Sequence, residues 1–319
     1  MRVIIIGGTG HIGTYLVPRL VEAGHNVVCV SRQQSNPYSN HPAWKSVEHV
    51  AIDREKAEEA GQFCTQIAAL KGEIVIDLIC FTEESARKLA EALNGKIKHF
   101  LHCGSMWVHG HSEQVPTTEE QIRKPFGEYG IDKAKIEAYL HTFHQESGFP
   151  VTILHPGHIV GPGWLPVNPA GNFNPEVFVR LAKGEEVLLP NFGMETVHHV
   201  HANDVAQAFI RSIENRDYAI GESFHVVSEQ ALTLRGFAEA MAEKFDQEAN
   251  LKFLPWESWE KTVSNTDKEF TWDHIAHSPC GSISKAKDLL GYQPQYSSLE
   301  AVYEAVSYYF EQKGIVTTS

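Results

Sequence analysis

Met1-Arg-Val-Ile-Ile-Ile-Gly-Gly-Thr-Gly-His-Ile-Gly13 opens the chain, and its reading decides the fold. Val3 to Ile6 is an unbroken β-branched run, the pattern of a strand covered on both faces within a parallel sheet. The run ends in a cluster where Gly7, Gly10 and Gly13 recur at every third position. Ile12, Leu16, Leu20 and Val21 then return at helical spacing up to Gly24, which reads as a C-cap. A strand, a glycine turn and a helix in that order leave free backbone N–H groups at a helix N-terminus. A dinucleotide pyrophosphate binds at such a place, and a side chain larger than hydrogen would block its approach. Gly7, Gly10, His11, Ile12 and Gly13 are therefore the expected pyrophosphate contacts.

The second strand, Asn26 to Val30, runs into Ser31-Arg32. NAD-binding units of this kind close that strand with an acid for the ribose hydroxyls. A serine and an arginine instead suit a 2′-phosphate, the guanidinium pairing with it, so NADP is the expected cofactor and NAD the alternative. Gln33 to Trp44 is polar and reads as a surface loop. Further strands are expected at Val47 to Ile52, Glu73 to Ile79, Lys98 to Cys103 and Pro150 to Leu154. Helices are expected at Glu55 to Leu70, Glu83 to Leu93 and Phe126 to Ser147. This alternation implies right-handed βαβ crossovers and a Rossmann-type, doubly wound α/β sheet. Ligands lie beyond the carboxyl ends of such strands, where Asp53, Cys80, Phe81 and Ser105 fall.

The loop His155-Pro-Gly-His-Ile-Val-Gly-Pro-Gly163 is the clearest break in the chain. It divides a dinucleotide-binding domain, 1–160, from a smaller mixed α/β substrate lobe, 161–319, that is expected to send a segment back into the first. In the lobe, strands are expected at Glu186 to Leu189, Val197 to His201, Ser223 to Val227 and Leu251 to Leu254, and helices at Pro175 to Lys183, Ala202 to Ile213, Thr233 to Phe245, Ser284 to Leu290 and Leu299 to Lys313.

The 27 lysines and arginines against 40 acids give a net charge of −13, which argues against binding a phosphate backbone. No apolar run approaches membrane-spanning length, and the opening strand is too short for a signal peptide. Five cysteines without a Cys-x-x-Cys pair read as reduced thiols in a cytoplasmic protein. His199 and His201 share a face of the expected strand, but no third ligand follows by spacing, so no metal is expected.

Tyr129 and Lys133, four apart on a helix, project from one face. Interconverting an alcohol and a ketone needs a group that exchanges a proton with oxygen while a nicotinamide exchanges hydride with carbon. A tyrosine serves if a nearby ammonium lowers its pKa, and Lys133 is placed to do so while holding the nicotinamide ribose. Ser105 is placed to hydrogen-bond the same oxygen. Met106, Trp107 and Trp164 are the expected aromatic and apolar substrate contacts.

Taken with Gly104-Ser-Met-Trp-Val-His-Gly110, Tyr129-Gly-Ile-Asp-Lys133, His199-Val-His-Ala-Asn-Asp-Val-Ala206 and Ser284-Lys-Ala-Lys-Asp-Leu-Leu-Gly-Tyr292, the glycine turn and the His155 loop resemble the extended short-chain dehydrogenase/reductases, the NAD-dependent epimerase/dehydratase group. The resemblance implies Ser105, Tyr129 and Lys133 as the catalytic three. It implies Asp53 near the adenine, Pro156 to His158 near the nicotinamide, and a homodimer formed through the tyrosine helix. Two arginines that grip a nucleotide-sugar diphosphate in such epimerases have no counterpart, one at Thr196 to His199 and one within Phe270 to Ser282. The expected activity is therefore NAD(P)-dependent oxidation or reduction of a small hydroxyl or carbonyl compound. A sugar epimerase or dehydratase with internally recycled NAD is the alternative. A catalytically inactive dinucleotide-binding regulatory protein is the reading from another class.

Overall fold

The computed structural model describes residues 1–32 and 37–315. Most of the expected loop at Gln33 is described, but residues 33–36 lie outside that range. Six strands, β1 (Arg2–Ile6), β2 (Asn26–Ser31), β3 (Glu48–Ala51), β4 (Ile74–Asp77), β5 (His99–Cys103) and β6 (Val151–Pro156), pair in parallel with a seventh at Ser223–Val226. Their spatial order is Ser223–Val226, β6, β5, β4, β1, β2, β3. The chain reverses direction across the sheet between β1 and β4, and that switch opens a crevice at their carboxyl ends.

The β-branched run at the N-terminus forms β1 because both of its faces are covered. Val3 and Ile5 belong to one hydrophobic layer and Ile4 and Ile6 to the other, as the two-residue period of a strand demands. The first layer holds Leu16, Val17 and Leu20 of the helix His11–Glu22, and Val205 and Phe209 of Ala202–Glu214. The second holds Phe63, Leu89, Ile136 and Leu140. Each fully buried isoleucine or leucine contributes about 1.5–3 kcal/mol.

Several elements differ from the sequence reading, three of them near the cleft or in the sheets. The expected helix Glu55 to Leu70 is two helices, Arg54–Glu59 and Phe63–Ala69, because Gly61 takes the left-handed conformation (φ +65°) and turns the chain. The expected strand Val197 to His201 is two short ones with different partners. Thr196–Val197 pairs antiparallel with Leu232–Thr233, whereas His199–His201 pairs in parallel with His158–Val160. The helix Asn265–His277 was not foreseen.

A separate core gathers Phe178, Leu189, Phe237, Met241, Trp259 and Val302. Trp259, fully buried, donates its indole N–H to the Leu188 carbonyl at 2.9 Å, which satisfies its one polar atom. Later segments of the chain return to the main sheet. Ser223–Val226 extends the main sheet and Ala202–Glu214 lies against the helix His11–Glu22.

Candidate active site

The glycine turn is shaped by three different demands. Gly7 has φ +85°, closed to most side chains, and its N–H donates to the Val30 carbonyl at 2.9 Å. Gly13 lies in the helix against the turn, where a Cβ would come within 1.9 Å of the Gly8 carbonyl oxygen. A Cβ on Gly10 would meet only the Gly7 carbonyl, at 3.4 Å, and would stand in the cleft. Gly10 is the N-cap residue and provides no side-chain cap, so first-turn N–H groups keep no intrahelical partner.

Two cavities meet over this turn, sharing Gly7, Gly10, Ile79 and Phe81. One, of about 680 Å³, runs along Ser31, Arg32, Asp53 and Arg54. Asp53 caps the helix Arg54–Glu59 by accepting the Lys56 N–H. Arg54 is committed to Asp77, at 2.8 and 3.1 Å, and to Glu58. Arg32 is exposed and has no carboxylate partner among the described residues. Two joined cavities that share a bare helix N-terminus fit a nicotinamide dinucleotide.

The other cavity, of about 540 Å³, continues past Ser105, Tyr129 and Lys133 to Pro156, His158 and Trp164. Of the expected pair Cys80 and Phe81, Phe81 lines both cavities, whereas the Cys80 thiol is buried away from them and only its carbonyl serves the site. That carbonyl and the one of Cys103 accept the Lys133 ammonium at 2.7 and 2.8 Å. The same ammonium stands 4.9 Å from the centre of the Phe81 ring.

Lys133 does not lower the tyrosine as expected. Burial pushes the Tyr129 phenol up to about 12, and only a hydrogen bond from Ser105 acts the other way. The ammonium donates to two carbonyls and lies 5.8 Å from the tyrosine ring centre. The Ser105 Oγ accepts the Trp107 N–H at 3.2 Å, which leaves its own proton to donate.

Beyond these residues the cleft becomes aromatic. Trp107 is stacked on His277 with centroids 4.1 Å apart and meets Tyr129 edge-on at 5.8 Å. Trp164 stacks on His11 at 4.8 Å, so the first helical residue and the 161–164 turn close over the glycine turn together. Met106 is buried in the wall. Phe173, Phe270, Asp273 and His274 complete the lining, and three of these four belong to the helix missing from the sequence reading. Its one local signal is Ser264, whose side chain accepts the Asp267 N–H as an N-cap. Burial brings His274 down to about 4 and holds His158 well below its ordinary value, so both are neutral at pH 7. Among the described lining residues Lys133 is then the one cation and Asp273 the one carboxylate.

A family model for the NAD dependent epimerase/dehydratase family matches residues 3–226. The chain belongs to that family. It is an enzyme of the extended short-chain dehydrogenase/reductase type. A chloroplast stem-loop binding protein of 41 kDa from Arabidopsis thaliana is 26% identical, over 94% of this chain and 77% of its own length. A 2′-dehydrokanamycin reductase from Streptomyces kanamyceticus is also 26% identical, over 86% of this chain and 76% of its own. Among solved structures, an epimerase from Methanothermobacter thermautotrophicus superposes with a TM-score of 0.74 at 21% identity, covering 98% of this chain and 93% of that one. No helix among the described residues is long and apolar enough to cross a membrane.

Proposed function

We propose that this family member reduces a carbonyl, or oxidises the corresponding alcohol, on a small substrate without a diphosphate group, with NADP as its redox partner. The observation that carries this reading is the charge of the substrate half of the cleft. Its one cation among the described residues, Lys133, already serves two backbone carbonyls, and nothing else there would neutralise a nucleotide-sugar diphosphate. The aromatic walls at Trp107, Trp164, Phe173 and Phe270 suit a largely apolar or sugar-ring face.

In this reading the bound dinucleotide supplies or accepts the hydride. Gly7, Gly10 and the first turn of the following helix hold its pyrophosphate. Arg32 would pair with a 2′-phosphate, and Lys133 would hold the nicotinamide ribose. A phenol raised to about 12 is protonated at neutral pH, which is the form needed for reduction. Tyr129 gives its proton to the carbonyl oxygen as the carbon gains hydride, and Ser105 donates a hydrogen bond to that oxygen. The net charge of −13 disfavours the nucleic-acid role named for the chloroplast relative.

The test is made on the protein as purified. Any nucleotide released on denaturation is identified, and UDP-glucose and UDP are titrated calorimetrically into the native protein. The expected result is little retained nucleotide, binding of NADPH, and no measurable heat with either UDP compound. Stoichiometric NAD⁺, or tight UDP binding, would make the protein an epimerase or dehydratase with internal recycling. Once a carbonyl substrate is found, Tyr129→Phe is expected to lower kcat by about 10²-fold or more. Unchanged turnover would remove Tyr129 from its role.

A further inference from the structure

Tyr129, Lys133 and Glu137 follow one another at intervals of four on the helix Gly127–Ser147 and so share one face. The first two reach the cleft, but Glu137 is turned into the protein and is only 5% exposed. Its carboxylate accepts two parallel bonds from Arg123, at 2.9 and 2.8 Å, and one from the Ser223 hydroxyl at 2.8 Å. The remaining Nη1 of Arg123 donates to the carbonyls of Glu119 and Gln121, so the guanidinium has no freedom to swing away. A further partner of Glu137 is His155 of β6, whose Nε2 lies 2.9 Å from Oε1. On the far side of the same ring, Nδ1 accepts the backbone N–H of Ser105 at 3.0 Å.

These contacts assign the ring's proton. A backbone N–H can only donate, so Nδ1 carries the lone pair and Nε2 carries the hydrogen that goes to Glu137. The ring is fully buried and packs against the residue before the serine, where a Cβ on Gly104 would come within 2.4 Å of Nδ1. Burial works against the charge on Glu137, but the Arg123 guanidinium and the hydrogen bonds donated by Arg123 and the His155 Nε2–H hold the carboxyl below the usual carboxylate range. The network thus runs from a fixed arginine through a fixed charge to the peptide N–H of Ser105. It ties the helix that bears Tyr129 to the strand end that bears Ser105.

We propose that Glu137 and His155 are positioning residues. They hold the Ser105 backbone so that its hydroxyl, already capping the turn at Trp107, points its proton toward the substrate oxygen that Tyr129 also meets. The inference rests on the reading above, in which Ser105 and Tyr129 meet one substrate oxygen. A misplacement of about 1 Å at such a pair costs about 10²-fold in rate.

The experiment compares His155→Phe, which keeps the ring's bulk and removes both bonds, with His155→Asn, whose carbonyl oxygen restores an acceptor near the Nδ1 position. Both are assayed with NADPH and the carbonyl substrate found for the unsubstituted enzyme. His155→Phe is expected to lower kcat by about ten- to a hundredfold with KM and NADPH affinity nearly unchanged. His155→Asn is expected to recover part of that loss. Equal loss in both folded variants, or an unchanged kcat in His155→Phe, overturns the proposal. If neither variant folds, long-range ¹⁵N–¹H correlation spectra of the unsubstituted protein decide. They must show His155 as the neutral Nε2–H form, and a protonated ring or the Nδ1–H form overturns the proposal. Activity surviving in Tyr129→Phe would refute the site reading itself. Loss there with an unaffected His155→Phe refutes only the positioning role.

Discussion

Mild acid should unfold this protein, and the reason is its buried histidines. His11, His99, His109, His198, His199, His201, His274 and His277, eight residues, are each brought down by burial to about 3 or 4. In the unfolded chain a histidine titrates near 6.5. Between these values the unfolded state binds protons that the folded state refuses, so stability is fully present above about pH 6.5 and is lost as pH falls toward the folded value. Going from pH 7 to pH 6, each such group removes about 0.7 kcal/mol, and the eight together about 5 kcal/mol. A domain's whole stability is about 5–15 kcal/mol, so this term dominates. Carboxyl groups raised by burial, such as Asp204 and Glu304, act in the opposite sense and gain stability as pH falls. Thermal unfolding should be followed from pH 8 to 5, with calorimetry in buffers of different ionisation enthalpy to count the protons taken up. About six protons should enter on unfolding at pH 6. A melting temperature that stays level from pH 7.5 to 5.5, with less than about one proton taken up, would refute the reasoning.

Two substitutions probe the cofactor groove. Arg32→Ala should weaken NADPH by about 1.5–3 kcal/mol, the range for a hydrogen bond to a charged group, and leave NADH nearly unchanged. Equal losses for both in a fluorescence titration would remove the 2′-phosphate role. Gly13→Ala drives a methyl group to 1.9 Å from the Gly8 carbonyl, against backbone that has no room to yield. It should cost at least about 1–3 kcal/mol by denaturant titration and abolish dinucleotide binding, and near-wild-type values for both would contradict the packing described.

The fold was legible because its signals are local. A β-branched run, a glycine turn and a helical period each sit within about fifteen residues, and strand–helix alternation leaves few topologies open. The same locality put Ser105 at a strand end and Tyr129 and Lys133 on one helix face before any coordinates were needed. The helix Asn265–His277 escaped because Phe270 and Asp273 face the cleft rather than a core, so its sequence lacks a clean apolar stripe.

Tertiary structure alone decided the electrostatics. Spacing brings an ammonium within one turn of a phenol, but where it points depends on the Cys80 and Cys103 carbonyls, 53 and 30 residues away in sequence. Burial, a property of the whole assembly, then raises Tyr129 instead of lowering it. The link from Glu137 through His155 to Ser105 joins a helix and two strands by contacts 18 and 50 residues apart. Short-range pattern determines which secondary elements form. Hydrogen-bond direction and desolvation arise only when distant segments meet, so no window of sequence carries them.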